Sequence, residues 1–364
     1  MKVAIVGGGI IGLSIALELR SHGVEVLVFD NSAHRAATSL AAGGMLAPQK
    51  EAHAPGPFLD LCLRSRTIWP PFAEKVAELS GHPSTYLESG ILTSAFTDDE
   101  VHSLDATTAW QHACSLRVSM LTGPEARALE PSLSDHVQAA AWFPDDHQID
   151  PVAFVPALVE ACRRAEVGLP HATVTQIVEH AGRATGVRHA GGIEAADAVV
   201  LAAGAWSSRV DGARVPVDLV EPVRGQMIEI RSAQLPARIL AGPRCYLIPR
   251  GDGRATVGTT EERVGFDAST TVGGLEQIVA AMQELCPALG KTPISRSWAG
   301  LRPLSSCQLP IIGKGPLENL VLATGHFRNG VLLAPLTARL VSQLLLAQRT
   351  SVDLKPFRYD RLPS

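Results

Sequence analysis

The chain has 364 residues, of which 46% are hydrophobic and 19% are charged, and its formal net charge is −4. This length permits two domains with buried cores, and the lack of a Lys/Arg block argues against a nucleic-acid or anionic-membrane surface. No run of about 18 apolar residues appears, and the first residues lack the apolar core of a signal peptide, so we expect a cytoplasmic protein without a transmembrane helix.

The first thirty residues predict a βαβ unit. Residues 3–6 form a short apolar run typical of a buried strand, 12–21 have one apolar face as in a helix, and 24–29 predict a second strand. A further buried strand is predicted far downstream, at residues 198–202. Strands of one parallel sheet would therefore come from distant parts of the chain.

A glycine motif joins the first predicted strand to the helix. Gly7-x-Gly9-x-x-Gly12 permits a tight turn, a close approach of the backbone to a pyrophosphate and close packing of helix on strand. Asp30 ends the second strand, where a carboxylate can bind ribose hydroxyls. Because the motif stands in the required strand–turn–helix context, dinucleotide binding is favoured over a purely structural glycine turn.

Two further stretches favour FAD over a nicotinamide cofactor. "ATSLAAGGML" (37–46) is a run of small residues that lets a large flat cofactor pass the backbone, and "VVLAAGAWSS" (199–208) ends a strand in a turn containing Ala203, Gly204 and Trp206. No second GxGxxG is present for a separate nicotinamide cofactor.

Alternating patterns dominate the remaining sequence. "RGQMIEIR" (224–231) and "CYLIPRGDGRATVGTT" (245–260) predict antiparallel strands, the latter a hairpin that turns at 251–253. We therefore predict an α/β fold, α+β overall, in which a Rossmann FAD domain of the two-dinucleotide-binding type carries an inserted antiparallel, β-rich substrate domain. The predicted FAD domain comprises 1–80, 140–212 and 299–364, and the predicted substrate domain 81–139 and 213–298.

"GHFRNGVLLAP" (325–335) places a positive charge and turn formers before an apolar helix. A capped surface turn is one interpretation. The alternative is that a helix starts between Gly330 and Pro335, with proline in the first turn, and that its free amides stabilise negative charge on a reduced flavin while Arg328 adds positive field.

These motifs together resemble the D-amino-acid-oxidase superfamily of FAD oxidoreductases, and within it most of all the bacterial glycine oxidases (ThiO). The resemblance covers nearly the whole chain. It rests on the amino-terminal glycine motif and on four further stretches: "GMLAP" (44–48), "CYLIPR" (245–250), "WAGLRP" (298–303) and "GHFRNGVLLAP".

The resemblance implies a set of flavin-contacting residues distributed over the chain. They are Gly7, Gly9, Ile10, Ile11, Gly12, Asp30, Asn31, Thr38, Ser39, Gly43, Gly44, Met45, Val174, Ala203, Gly204, Trp206, His326, Phe327, Arg328, Asn329, Gly330, Val331 and Leu332. Leu40 and Gly300 occupy the places where relatives with covalent flavin carry His or Cys, so the resemblance implies non-covalent FAD.

Arg302 is the expected carboxylate anchor of the substrate. A guanidinium grips a carboxylate through two parallel hydrogen bonds, and Pro303 favours an extended Arg302. The resemblance places Tyr246 and Arg328 beside it. The structural alternatives are a surface arginine, a core tyrosine and, for His326, a packing role. No His/Asp pair is predicted as a general base.

Two positions depart from the family pattern. Glu261 stands where an apolar side chain near the substrate is usual, so it becomes a candidate for substrate specificity, with a solvent-facing side chain as the alternative. Cys307 stands where an acidic residue is common, and we interpret it as a buried or loop thiol. The six cysteines lack metal-binding spacing, so we expect reduced thiols and no metal site.

The sequence therefore predicts an FAD-dependent amine oxidase acting on glycine, sarcosine or a small D-amino acid. Hydride transfer to flavin N5 would give an imine and then an α-keto acid such as glyoxylate, with O₂ reduced to H₂O₂. The resemblance further implies a homotetramer that serves thiamine thiazole synthesis. The alternatives are a D-amino-acid dehydrogenase that passes electrons to a quinone or carrier, a flavin domain acting on modified tRNA, and a non-catalytic flavin-binding protein.

Overall fold

The computed structural model describes residues 1–31 and 37–361. Within these residues the strands are, in chain order, β1 (Lys2–Val6), β2 (Glu25–Phe29), β3 (Met45–Leu46), β4 (Tyr86–Leu87), β5 (Ile91–Ala95), β6 (Ser119–Thr122), β7 (Ala139–Phe143), β8 (His147–Ile149), β9 (Val174–His180), β10 (Arg183–His189), β11 (Gly192–Ala195), β12 (Ala198–Leu201), β13 (Val220–Arg231), β14 (Ile239–Ala241), β15 (Tyr246–Pro249), β16 (Arg254–Gly258), β17 (Ile294–Ser305), β18 (Ile311–Lys314) and β19 (Leu320–Thr324).

The α-helices of the same residues are α1 (Ile10–Ser21), α2 (Ala37–Ala41), α3 (Pro48–Glu51), α4 (Pro57–Ser80), α5 (Asp98–Ala113), α6 (Gly123–Leu129), α7 (Pro151–Arg164), α8 (Val272–Leu285) and α9 (Gly330–Leu345). Short 3₁₀ helices lie at Gly204–Arg209, Pro287–Lys291, Phe327–Asn329, Lys355–Phe357 and Tyr359–Arg361. In this described part of the chain, no helix is both long and apolar enough to cross a membrane.

The first sheet has the strand order β18-β19-β12-β1-β2 and is parallel except for β18 at its edge. Its inner strands are apolar apart from Lys2 and Thr324 at their ends, because both faces are covered. Helices α1 and α9 pack against each other over one face. The predicted βαβ unit and the downstream strand are therefore confirmed, although α1 begins two residues earlier than predicted, directly after Gly9.

The second sheet, here called the large sheet, has the order β17-β13-β16-β15-β14-β5-β7-β6 and is antiparallel apart from the β14–β5 pair. The predicted hairpin is confirmed as β15 and β16, with Tyr246 opposite Gly258 and left-handed glycines at 251 and 253 in the turn. Strand β13 pairs with β17 along nearly its full length. The two remaining sheets have the orders β11-β10-β9 and β3-β8-β4.

The observed architecture is the predicted α/β class, a mostly parallel sheet next to a mostly antiparallel one. The predicted domain boundaries at 140 and 299 cut through β7 and β17, and both strands belong to the large sheet. The division into two domains itself stays a prediction.

Helix α9 corrects the prediction for Pro335. The helix begins at Gly330, so the proline lies in its second turn rather than its first. Proline lacks the amide that would bond the carbonyl four residues earlier. The neighbouring carbonyl of Leu332 accepts hydrogen bonds from Ser65 Oγ at 2.6 Å and from Trp69 Nε1 at 2.8 Å, both from α4. These side chains support the turn that the proline weakens.

The glycine motif gives the first testable prediction. A Cβ at Gly12 would lie 1.9 Å from the Gly7 carbonyl oxygen, so we expect Gly12→Ala to destabilise the protein by about 1–3 kcal/mol. Gly273, near the start of α8, is the matched control because a Cβ there meets no atom within 4 Å. Gly273→Ala should be neutral or slightly stabilising. Equal melting temperatures for the two variants would show that position 12 tolerates a side chain.

Candidate active site

A cavity of about 590 Å³ opens at the carboxyl ends of β1, β2 and β12 and extends to the large sheet. The carboxyl end of a parallel sheet is where doubly wound folds bind dinucleotides. Its wall includes residues of β15 and β17 as well as the loop before α9. One cavity is therefore shared by the elements that the sequence assigned to cofactor and to substrate.

The glycine turn is shaped for a bound anion. Gly7 has a φ of +109°, and a Cβ on it would lie 2.4 Å from the Ala202 carbonyl oxygen. Gly9 is the N-cap of α1 and makes no side-chain cap, so the helix amino terminus faces the cavity with its dipole. Two side chains order this turn: the Asp30 carboxylate accepts from the Gly8 amide at 3.0 Å, and Ser39 Oγ accepts from the Ile10 amide at 3.0 Å.

Most predicted flavin-contacting residues line this cavity. They are Gly7, Gly9, Ile10, Ile11, Asp30, Asn31, Thr38, Ser39, Gly43, Gly44, Met45, Val174, Ala203, Gly204, Trp206, His326, Phe327, Arg328, Asn329, Gly330 and Val331. The cavity wall does not include Gly12, which packs beneath Gly7, or Leu332, whose carbonyl faces α4. These two residues support neighbours that do line the cavity.

Arg250 fixes the small-residue segment against the large sheet. Its buried guanidinium donates to the Gly43 carbonyl at 2.6 Å and to the Ile149 carbonyl at 3.1 Å. Burial lowers the pKa of Arg250 to about 10, which still leaves it charged at neutral pH. In the sequence this residue is only part of a motif, and the structure gives it a positioning role.

Arg302 lies on β17 with its guanidinium in the cavity wall. Nη2 donates to Thr259 Oγ1 at 2.7 Å and Nη1 donates to the Thr260 carbonyl at 3.2 Å. Gly225 on the paired strand leaves room for it, because a Cβ there would lie 2.2 Å from Nη2. Burial lowers the pKa of Arg302, yet no carboxylate among residues 1–31 and 37–361 forms an ion pair with it. The arrangement presents a partly buried cation whose remaining donors suit an anionic ligand.

Tyr246 stands next to Arg302 in the same wall. The side chain is buried, and its hydroxyl lies 3.8 Å from Met227 Sδ, a weak acceptor. A Cβ at Gly43 would come within 3.1 Å of this hydroxyl, so the small-residue segment makes space for the phenol. The structure thus brings two of the three predicted substrate-contacting residues together.

Arg328 is the third predicted substrate-contacting residue. It pairs with a carboxylate, Glu51, that was not predicted from the sequence. Its Nε and Nη2 donate to the two Glu51 oxygens at 2.9 and 3.3 Å, and Nη1 lies 3.5 Å from Glu261. Burial acts to raise the pKa of Glu51, but Lys50 and Arg328 hold it well below its usual range. The sequence predicts that Arg328 adds positive field at this end of the cavity, and in the structure the guanidinium is paired with Glu51 and lies close to Glu261.

The position of Glu51 depends on a buried carboxylate that holds its helix. It ends the short helix α3, whose Gln49 and Lys50 amides donate to the buried Asp146 carboxylate at 3.1 and 2.9 Å. Arg66 from α4 reaches the same carboxylate at 3.1 Å. The only sign of Glu51 in the sequence is its position shortly after "GMLAP".

The loop before α9 combines a bent backbone with a buried histidine. Phe327 has a φ of +47° and begins a 3₁₀ turn that leads into the amino terminus of α9 at Gly330. His326 is buried with Nε2 at 3.0 Å from Thr337 Oγ1, and burial lowers its pKa to about 3. It is therefore neutral near pH 7 and packs the loop onto its helix.

The two departures from the family pattern lie away from the cavity wall. The side chain of Glu261 is 53% exposed, so it meets solvent and the Arg328 cation at once. Cys307 is exposed in a turn, where Arg361 Nη2 donates to its sulfur at 3.0 Å. Within the described residues, no group of three or more His, Cys, Asp or Glu side chains could hold a metal ion.

Comparison with known proteins gives consistent matches over the chain. A family model described as "DAO: FAD dependent oxidoreductase" matches residues 2–344. The chain is 39% identical over 371 residues to the bifunctional protein ThiO/ThiG of Synechocystis sp., a match that covers 99% of this chain and 54% of that protein. It is 34% identical over 364 residues to the glycine oxidase of Geobacillus kaustophilus, with 99% and 96% covered. The chain thus spans about half the length of the bifunctional relative.

Solved structures agree with the sequence matches. A crystal structure of glycine oxidase from Geobacillus kaustophilus superposes with a TM-score of 0.94 at 33% identity, covering 100% of this chain and 99% of that one. A glycine oxidase structure from Bacillus cereus gives 0.90 at 29% identity, with 96% of each chain covered.

The buried His326 leads to a prediction on acid stability. Its ordinary pKa is 6.5 and burial lowers it to about 3, so the unfolded chain binds a proton over this range that the folded chain does not. Stability should therefore fall as the pH drops below about 6.5, by up to about 1.4 kcal/mol per pH unit from this group. We expect His326→Gln to have a shallower loss of unfolding free energy between pH 6 and pH 4. An unchanged slope, measured by urea unfolding at each pH, would contradict a buried neutral histidine.

Proposed function

The chain belongs to the FAD dependent oxidoreductase (DAO) family, and on this premise we propose that it oxidises glycine or a similarly small amine, such as sarcosine or a small D-amino acid. The products are an imine, which water converts to an α-keto acid such as glyoxylate with release of ammonia or an amine, and H₂O₂ from O₂. We further propose that the imine supplies thiazole assembly for thiamine, as the resemblance to ThiO implies. A cytoplasmic location, expected from the sequence, and a homotetramer, implied by the resemblance, remain predictions.

The single observation that carries this proposal is the partly buried guanidinium of Arg302. It faces the cavity without a carboxylate partner among the described residues, and Tyr246 stands beside it. An amino acid brings the missing carboxylate, and a planar fork of donors fixes its orientation as well as its position. Arg302 would thereby hold the α-carbon in one place, which is the main requirement for hydride transfer.

The cavity residues fit FAD. The α1 amino terminus and the glycine turn, whose missing side chains leave the backbone open, would bind the pyrophosphate, and Asp30 would bind a ribose. The loop at 326–331 would contact the isoalloxazine ring, and the amides at the start of α9 would stabilise negative charge on it. When bound, FAD accepts the hydride and passes the electrons to oxygen. A Cβ at position 300 would lie 2.6 Å from Ala41 Cβ, so this backbone disfavours the cysteine that holds covalent flavin in relatives, and we propose non-covalent FAD.

Among the described residues, the substrate end holds no obvious general base. His326 is buried and bonded to Thr337, and Glu51 is paired with Arg328. Hydride transfer requires only that the amine arrives neutral with a free nitrogen lone pair. Arg302 and Tyr246 would bind and orient the substrate, and the α-amine would lose its proton to solvent before reaction.

The most informative experiment is a panel of amines and amino acids scored by H₂O₂ release. Stoichiometric H₂O₂ from glycine or sarcosine supports the proposal. Reduction of the bound flavin without H₂O₂ would instead indicate a dehydrogenase that uses a quinone or carrier, and an unbleached flavin under anaerobic substrate would indicate a non-catalytic flavin protein. A salt-sensitive gel shift with tRNA would favour the tRNA-modifying alternative.

Replacing Arg302 tests the carboxylate anchor. We expect Arg302→Ala to keep the visible flavin spectrum but to lose kcat/KM for glycine by roughly a hundred- to several-thousand-fold, mainly through KM, since breaking a buried ion pair costs about 3–5 kcal/mol. Arg302→Lys should recover only part of this, because an ammonium cannot form the planar fork. A near-normal KM for glycine in Arg302→Ala would rule out the assignment.

A further inference from the structure

We propose that Glu261 makes the substrate end selective for amines with a single carboxylate, by joining Glu51 on Arg328 so that this second guanidinium does not bind a second anionic group. The inference rests on the proposed function and specifies its substrate class. Glu261 would act through Arg328 rather than by touching the reacting atoms.

Two carboxylates flank Arg328 on different sides. Glu51 takes Nε and Nη2, and Glu261 lies 3.5 Å from Nη1, so each of the three guanidinium nitrogens faces an acidic oxygen. Arg302 differs because its hydrogen-bond partners among the described residues are a threonine hydroxyl and a carbonyl, which carry no charge. The two arginines of the cavity wall are therefore not equivalent, and of this pair it is Arg302 that still lacks a counter-charge.

Among Arg302, Arg328 and the side chains that pair with Arg328 or with Glu51, the formal charges leave one positive charge unbalanced. The cations are Arg302, Arg328 and Lys50, and the last lies 3.2 Å from Glu51. The anions are Glu51 and Glu261. One positive charge remains, and the carboxylate of a single amino acid with a neutral amine balances it. A second carboxylate would be an excess anion next to two glutamates.

The backbone holds Glu261 where it can exert this effect. The preceding Thr259 and Thr260 bind Arg302, and the following Glu262 pairs with the buried Arg224 at 2.6 Å. Main-chain hydrogen bonds of 2.8 and 3.0 Å join Arg224 and Glu262 in both directions. With residues on both sides fixed, Glu261 extends from a rigid segment towards Arg328.

The solvent exposure of Glu261 limits the size of the expected selectivity. Because the Glu261 side chain is 53% exposed, solvent screens its field, and we expect selectivity of about three- to tenfold rather than a complete exclusion. The effect should decline as salt is raised, which a purely structural role of Glu261 would not produce.

The test compares ligands that bind without reacting. Dissociation constants of acetate, malonate and succinate are measured from changes in the visible flavin spectrum, in the FAD-bound protein and in Glu261→Gln. We expect the dicarboxylates to gain about three- to tenfold in affinity relative to acetate in Glu261→Gln at low salt, and Glu261→Asp, which keeps the charge, to stay near the wild-type ratio. An unchanged ratio for both dicarboxylates in Glu261→Gln would overturn the inference.

Glu221→Gln is the matched control. Glu221 is also a partly exposed carboxylate, 43% exposed, and it pairs with the exposed Arg263 rather than with an arginine of the cavity. The Glu221→Gln variant should leave the ratio of dicarboxylate to acetate affinity unchanged. A shift equal to that of Glu261→Gln would also overturn the inference, because the change in net charge alone would then explain both shifts.

A kinetic comparison extends the test and separates the two proposals. In Glu261→Gln, kcat/KM for iminodiacetate, which has two carboxylates, should rise relative to glycine by the same factor as the binding ratio. If glycine and iminodiacetate yield no H₂O₂ while the binding ratios shift as expected, the proposed function fails and the charge selection stands. If glycine is turned over while the binding ratios stay unchanged, the charge selection fails and the proposed function stands.

Discussion

A guanidinium that is partly buried without a counter-ion is unfavourable, and the proposed substrate end of the cavity is organised around one. Arg302 stays in the cavity wall because Thr259 and Thr260 accept two of its hydrogens and because Gly225 leaves it space. The long pairing of β13 with β17 brings Gly225 close to the strand position of Arg302. An anionic ligand therefore completes an electrostatic arrangement that the fold leaves unfinished.

Buried charged groups also connect the large sheet and the strand-to-strand loop after it to the segments that border the cavity. Arg250 reaches from the end of β15 to the Gly43 carbonyl, and Asp146 holds the short helix that carries Glu51. Both supporting groups are buried, so each binds its backbone partners without competition from water. The cavity wall thus owes its shape to polar contacts between the small-residue segment and the large sheet as well as to apolar packing.

Features set by residues close together in the chain are predictable from the sequence, whereas contacts between distant residues are not. The glycine turn and the hairpin at 251–253 are local, and both were predicted from residue type and spacing. The role of Arg302 is predicted from a motif, because the resemblance implies a carboxylate anchor that residue spacing alone does not indicate. The pairing of Arg328 with Glu51 joins residues 277 positions apart, and neither residue type signals the other. The predicted first-turn position of Pro335 is wrong for a related reason. The hydrogen bonds that support its second-turn position come from α4, which is distant in the sequence.

The contacts of α3 and α4 with the end of the chain bear on the order in which the molecule can be assembled. Glu51, Ser65 and Trp69 meet residues 328 and 332, at sequence separations of 263 to 277 residues. Closing such long loops precedes any gain from these contacts, which makes them late events in folding. During synthesis the amino-terminal βαβ unit lacks its covering helix α9 until the ribosome has passed residue 345. A chain interrupted before residue 325 would carry the glycine turn but not the loop at 326–331 that lines the same cavity.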